Sequence, residues 1–104
     1  MNTFKEDREH QTVHAPRKLT SETRVDFRTR ALEAVEHAAR SGARTVDIDL
    51  GDTEEVDASG LGALILVHKR AREKRLGVSI SRVSKEVRVL LNTTKLDELF
   101  DIAD

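Results

Sequence analysis

The chain has no cysteine, tryptophan or tyrosine, and only one proline, five glycines and three phenylalanines among its 104 residues. Without cysteine there is no disulfide, no thiol nucleophile and no thiolate metal site, which fits a reducing compartment. With so few aromatics there is no row of rings on which nucleobases could stack. Charge of one sign is also lacking: 18 Lys and Arg against 19 Asp and Glu leave a net −1. No global field therefore steers the chain onto nucleic acid or an anionic membrane. The longest apolar run, residues 61–67, is far short of the roughly 20 residues that span a bilayer. The opening Met1-Asn2-Thr3-Phe4-Lys5-Glu6-Asp7-Arg8 lacks the apolar stretch of a secretory signal. What these absences leave is one small cytoplasmic domain. It can bury about 65% of its unfolded surface, around a core of Leu, Val, Ile and Ala.

Residues 1–10 are polar and mixed in charge, and read as a flexible N-terminal tail; residues 11–104 read as the domain. A short strand is expected over 11–15, ended by Pro16. Thr20 or Ser21 opens a first helix, in which Phe27, Ala31, Val35 and Ala38 recur at helical spacing and Gly42 stops the run. Residues 45–50 alternate, with Val46, Ile48 and Leu50 on one side and Asp47 and Asp49 on the other, the pattern of a strand. A polar loop leads to Val56-Asp57-Ala58-Ser59-Gly60, where Asp57 or Ser59 caps a second helix. Leu61, Leu64, Ile65, His68 and Ala71 then trace its expected buried face, and Gly77 ends it. A strand over 78–81 follows, then a third helix capped by Ser84 and a short closing helix carrying Leu96, Leu99 and Phe100. Strands alternating with helices predict an α/β domain, with a mainly parallel central sheet of about four strands flanked by helices.

The stretch Val46-Asp-Ile-Asp-Leu50, followed by Val56-Asp-Ala-Ser-Gly-Leu-Gly62, carries the most information. A strand ends, a loop crosses the sheet edge, and a helix begins where ligands and partners of open α/β sheets usually bind. Gly60 and Gly62 keep that helix start slim, so that a partner's surface can approach the backbone. From Leu19 to about Phe100 the chain resembles the STAS domains, and in particular the stand-alone bacterial anti-sigma-factor antagonists. The resemblance also rests on Gly77-Val-Ser-Ile80 and on Leu90-Leu-Asn-Thr-Thr-Lys-Leu-Asp-Glu-Leu-Phe100.

The resemblance implies a single STAS-type domain that is not an enzyme. It implies a partner-switching regulator of transcription that binds an anti-sigma factor with a serine-kinase fold. ATP then sits on the partner, the regulator is phosphorylated at the start of helix two, and a phosphatase resets it. In that family the phosphoacceptor usually follows the Asp directly, but here that position is Ala58, which leaves Ser59 as the phosphoacceptor candidate. The plain alternative is that Ser59 is only a helix cap. The expected partner-binding surface is Thr53, Glu54, Asp57, Ala58, Ser59, Gly60 and Leu61. A weak N-terminal strand suggests a homodimer through an open sheet edge. The competing function is a non-phosphorylated STAS adaptor subunit of a membrane transport ATPase complex.

Other constellations are weaker. Asp47, Asp49, Asp52 and Asp57 read as solvated or capping carboxylates rather than a Mg²⁺ site. His10 and His14 lack a third ligand, so no metal is expected. Gly60-Leu-Gly62 lacks the third glycine of a dinucleotide fingerprint, so no cofactor is expected. His68 reads as a packed histidine, and the basic run over 69–75 as a solvated helix end rather than a nucleic-acid surface.

Overall fold

The alternation of Val46 and Ile48 with Asp47 and Asp49 sets the middle strand of the sheet. In the computed structural model, which describes residues 10–102, these residues form β3 (Thr45–Asp49). Around it lie β1 (His10–His14), β2 (Lys18–Leu19), α1 (Arg24–Ser41), β4 (Glu55–Val56), α2 (Ala58–Glu73), β5 (Gly77–Ser81), α3 (Lys85–Thr93) and β6 (Asp101–Ile102). The main sheet has four strands, in the order β1-β3-β5-β6, and every pairing is parallel. The expected tail falls largely on residues 1–9, which lie outside the described residues; His10 already belongs to β1.

Register aligns one apolar row across all four strands: Val13, Ile48, Ile80 and Ile102. The adjacent row on the other face is Thr12, Asp47, Ser79 and Asp101. Strand order follows chain order, so every crossover advances the same way, and right-handed crossovers then lay the helices on one face. This explains why β3 alternates. A parallel sheet covered on both faces reads as a continuous hydrophobic run, whereas here the second face is polar and bonded within itself. Asp47 accepts from the Ser79 and Ser81 hydroxyls, each at 2.7 Å. Asp49 accepts from Arg82 at 3.1 Å and from the Gly51 N–H at 2.7 Å, and faces His14 at 3.4 Å. Asp47 and Asp49 thus each face partners of their own. Among the described residues no group of His, Asp or Glu is arranged to hold a metal, and no helix is long and apolar enough to cross a membrane.

α1 buries Phe27, Ala31, Val35 and Ala38, the four residues its spacing selects, and Gly42 closes it at φ 82°. It starts later than Thr20 or Ser21, because Thr20 to Thr23 form a preceding turn: Thr23 Oγ1 accepts from the Thr20 N–H and donates to the Lys18 carbonyl at 2.6 Å. Ser84 caps α3 by accepting from the Val87 N–H at 3.2 Å.

α2 departs from its expected face. Gly60, Ala63, Leu64, Val67 and Ala71 are buried, while Ile65 is 41% exposed. Residues 61–67 are apolar all round, so spacing alone could not choose the inward side. The end of α2 also differs, since the left-handed turn is made by Arg75 at φ 62° and Gly77 already begins β5. The expected closing helix is one 3-10 turn, Leu96–Glu98, followed by β6. Two strands precede α1 rather than one, because Lys18 and Leu19 pair with Glu55 and Val56 in a small second sheet. His68 packs edge-on against Phe100, with ring centroids 5.3 Å apart.

Candidate functional site

The small β2–β4 sheet places the start of α2 beside the turn that enters α1. Asp57, and not Ser59, is the N-cap of α2. One carboxylate oxygen accepts from the Gly60 N–H at 2.9 Å, and the other reaches across the chain to the Ser21 N–H at 3.1 Å. The backbone N–H of Asp57 donates to the Leu19 carbonyl at 3.2 Å. One residue thus fastens α2 to the β2–α1 turn, which is the capping role extended to a tertiary contact.

These bonds favour the ionised carboxyl. The Gly60 N–H does most to lower the Asp57 pKa, partial burial opposes it, and the Ser21 and Ser59 N–H groups add to the lowering, leaving it below the ordinary 3.8. A carboxyl whose pKa falls on folding stabilises the fold above its unfolded value and loses that contribution as pH drops through the folded value. Asp57→Asn, which replaces one accepting oxygen with a donor facing the Ser21 N–H, is therefore expected to melt below the native chain at neutral pH. The gap closes as pH falls through and below 3.8; circular-dichroism melts across that window check it.

Gly60 is buried and faces inward: a Cβ there would collide with the Leu19 carbonyl. Its slimness serves the α2–β2 packing, not a partner's approach. Gly62 is the glycine that fits the outward role, exposed and with nothing within 4 Å of a Cβ built on it. Thr53, expected on a partner-binding surface, is 2% exposed with its hydroxyl donated to the Pro16 carbonyl at 2.8 Å, so its side chain faces inward. Next to it, Glu54 is exposed and pairs with Arg17 at 3.1 Å.

The remaining expected residues come together on the first two turns of α2. Ala58 is exposed, Leu61 is half-buried against the core, and the exposed Ile65 continues their line. Spacings of three and four make these one stripe on one face. Ser59 lies one residue on from Ala58, about 100° around the helix, and turns off this ridge into a groove of about 230 Å³ shared with Arg24 and Arg28 of α1. Ile65 was expected on the buried face rather than on this ridge, and Arg24 and Arg28 were not expected at the site; an Arg pair four apart on α1 was the available signal for them. No nucleophile–base pair is built here among the described residues. The arrangement is an apolar ridge beside a groove in which a serine faces cations.

The sequence model of the family described as "Mlab, STAS domain" matches residues 2–101. No curated protein sequence matches. Among solved structures, a Thermotoga maritima protein assigned as an anti-sigma factor antagonist aligns with TM-score 0.75 at 20% identity, over 89% of this chain and 79% of that one. A sulfate transporter family protein from Wolinella succinogenes aligns with TM-score 0.72 at 16% identity, over 86% of this chain and 69% of that one. The anti-sigma factor antagonist SpoIIAA of Bacillus, in its phosphorylated form, aligns with TM-score 0.66 at 14% identity, over 93% of this chain and 85% of that one. Identities this low speak for the fold alone, but the family match spans nearly the whole sequence, and the chain belongs to the STAS-domain family.

Proposed function

We propose that this chain is an anti-sigma-factor antagonist, a non-catalytic partner-switching regulator that docks an anti-sigma factor of serine-kinase fold through the first turns of α2. The observation that carries the reading is the stripe of exposed Ala58 and Ile65 with half-buried Leu61 between them, on a helix whose cap, Asp57, is locked in place from two directions. A rigid apolar ridge with Glu54 at its rim is an interface core with a polar border. Docking displaces the sigma factor and frees it.

Ser59 is the switch in this reading. Its Oγ forms a bond to the γ-phosphorus of the ATP held by the partner, the bond from that phosphorus to the ADP oxygen breaks, and the hydroxyl proton passes to a base on the partner. A phosphatase returns the hydroxyl. Incubation with a kinase-type anti-sigma factor and ATP is expected to place one phosphate on Ser59, mapped by mass spectrometry, and Ser59→Ala is expected to abolish labelling. Label on another residue, or unchanged label in the variant, removes Ser59 from this role.

Ala58 favours a second reading, since it stands where the resemblance calls for the phosphoacceptor. There the chain is a STAS adaptor on a membrane transport ATPase; the structural likeness to a sulfate transporter family protein is compatible with it. The same ridge docks the ATPase, and Ser59 stays unmodified. Which of the two purified partners binds the chain decides between them.

A further inference from the structure

Arg24 and Arg28 stand one turn apart on α1 and share a groove with Ser59, Gly62, Ala63 and Leu66 of α2. No carboxylate lines it. Four other arginines, Arg17, Arg30, Arg70 and Arg82, pair with Glu54, Asp26, Glu73 and Asp49 at 3.1 to 3.4 Å. Arg24, Arg28 and the Ser59 hydroxyl have no such partner among the described residues. The groove holds about 230 Å³, the room of several waters at about 30 Å³ each, which is space enough for a phosphoryl group.

We propose that this groove is the chain's own receptor for a phosphate on Ser59, gripped by the guanidinium groups of Arg24 and Arg28. The proposal rests on the reading of Ser59 as acceptor and adds where its phosphate goes. A phosphoserine carries about −1.5 to −2 charges at neutral pH, with a second pKa near 6, and two guanidiniums cancel it almost completely. Guanidinium–phosphate hydrogen bonds are charge-assisted and often bidentate, so the phosphate ties α1 to α2. The switch therefore works by erasing a positive patch beside the docking ridge, not by presenting a bare negative charge to the partner. A hydroxyl at residue 58 would put the phosphate out on the ridge; at residue 59 it lands between the arginines.

The test needs no kinase. Phosphoserine is installed at position 59 of the full chain during translation, and its second ionisation is followed by phosphorus NMR. The folded chain is expected to titrate at least about half a unit below the same chain in urea, because nearby cations favour the more charged phosphate. The Arg24→Gln/Arg28→Gln chain, which leaves the helix end intact, is expected to lose most of that shift. An equal pKa in folded chain and urea, or a shift that survives the double substitution, overturns the clamp. If the double variant does not fold, the single variants Arg24→Gln and Arg28→Gln are read in the same way, each expected to lose part of the shift, and a shift unchanged in both overturns the clamp. Failure of a kinase to label Ser59 would instead strike the switching function, leaving this titration unaffected.

Discussion

Gly60→Ala is expected to destabilise the chain by about 1–3 kcal/mol, the range for forcing atoms into a packed site. An alanine Cβ at residue 60 meets the carbonyl oxygen of Leu19, with the Leu19 carbonyl carbon and side chain also inside van der Waals distance. That oxygen is backbone and cannot swing away as a side-chain tip would. It also accepts the Asp57 N–H at 3.2 Å, so any retreat loosens the joint that sets the angle of α2. Both β2–β4 pairing and the Asp57 bridge to Ser21 should weaken together. Gly62→Ala is the internal control: the added methyl meets nothing within 4 Å, and alanine in a helix interior stabilises by about 0.5–1 kcal/mol over glycine. Urea unfolding read as midpoints at constant slope separates the two. Opposite signs two residues apart are the signature of one glycine kept for close approach and another kept for an open surface.

Ile65→Glu is expected to leave the fold intact and sharply weaken partner binding. Ile65 is 41% exposed, so a glutamate there keeps its charge in water, and surface changes of this kind usually move stability by no more than about 0.5 kcal/mol. In the docked state the same carboxylate would be buried on an apolar ridge without a partner. Loss of a central apolar anchor typically costs about 2 kcal/mol or more of binding, and burying the charge adds to it, so the affinity should fall by at least about thirty-fold. The adaptor reading predicts the same loss against a transport ATPase, because both readings use this ridge; the variant thus tests the surface independently of who docks there.

How far these features were legible depended on whether the local pattern was one-sided. α1 has polar residues around Phe27, Ala31, Val35 and Ala38, so its inward face could be read directly. β3 was equally plain, and its aspartates also reported that the second sheet face is polar. In α2 the run over 61–67 offers apolar groups on every side. The choice that turns Val67 in and Ile65 out is made by tertiary packing against Leu19 and α1, not by periodicity. The two-residue strands β2, β4 and β6 are too short to show a period. Thr53 looked like a polar loop residue, and its burial follows from a bond to Pro16, which lies 37 positions away. The glycines at 60 and 62 were both legible as special, but which one faced the core depended on β2, a strand the sequence did not announce. At the site itself, the cap Asp57 and the ridge residues Ala58 and Leu61 were readable from the motif. The arginines across the groove sit on another helix and could be joined to Ser59 only through the fold.

If the ridge on α2 docks an anti-sigma factor of serine-kinase fold, a charge placed on that ridge must weaken the complex. Calorimetric titration of such a factor with the native chain and with Ile65→Glu tests it most directly. A saturable complex is expected with the native chain and binding at least about thirty-fold weaker for the variant, with both proteins showing the same melting curve. Equal affinity of the two for that factor, or no binding of the native chain to it, rules out the ridge as its docking surface.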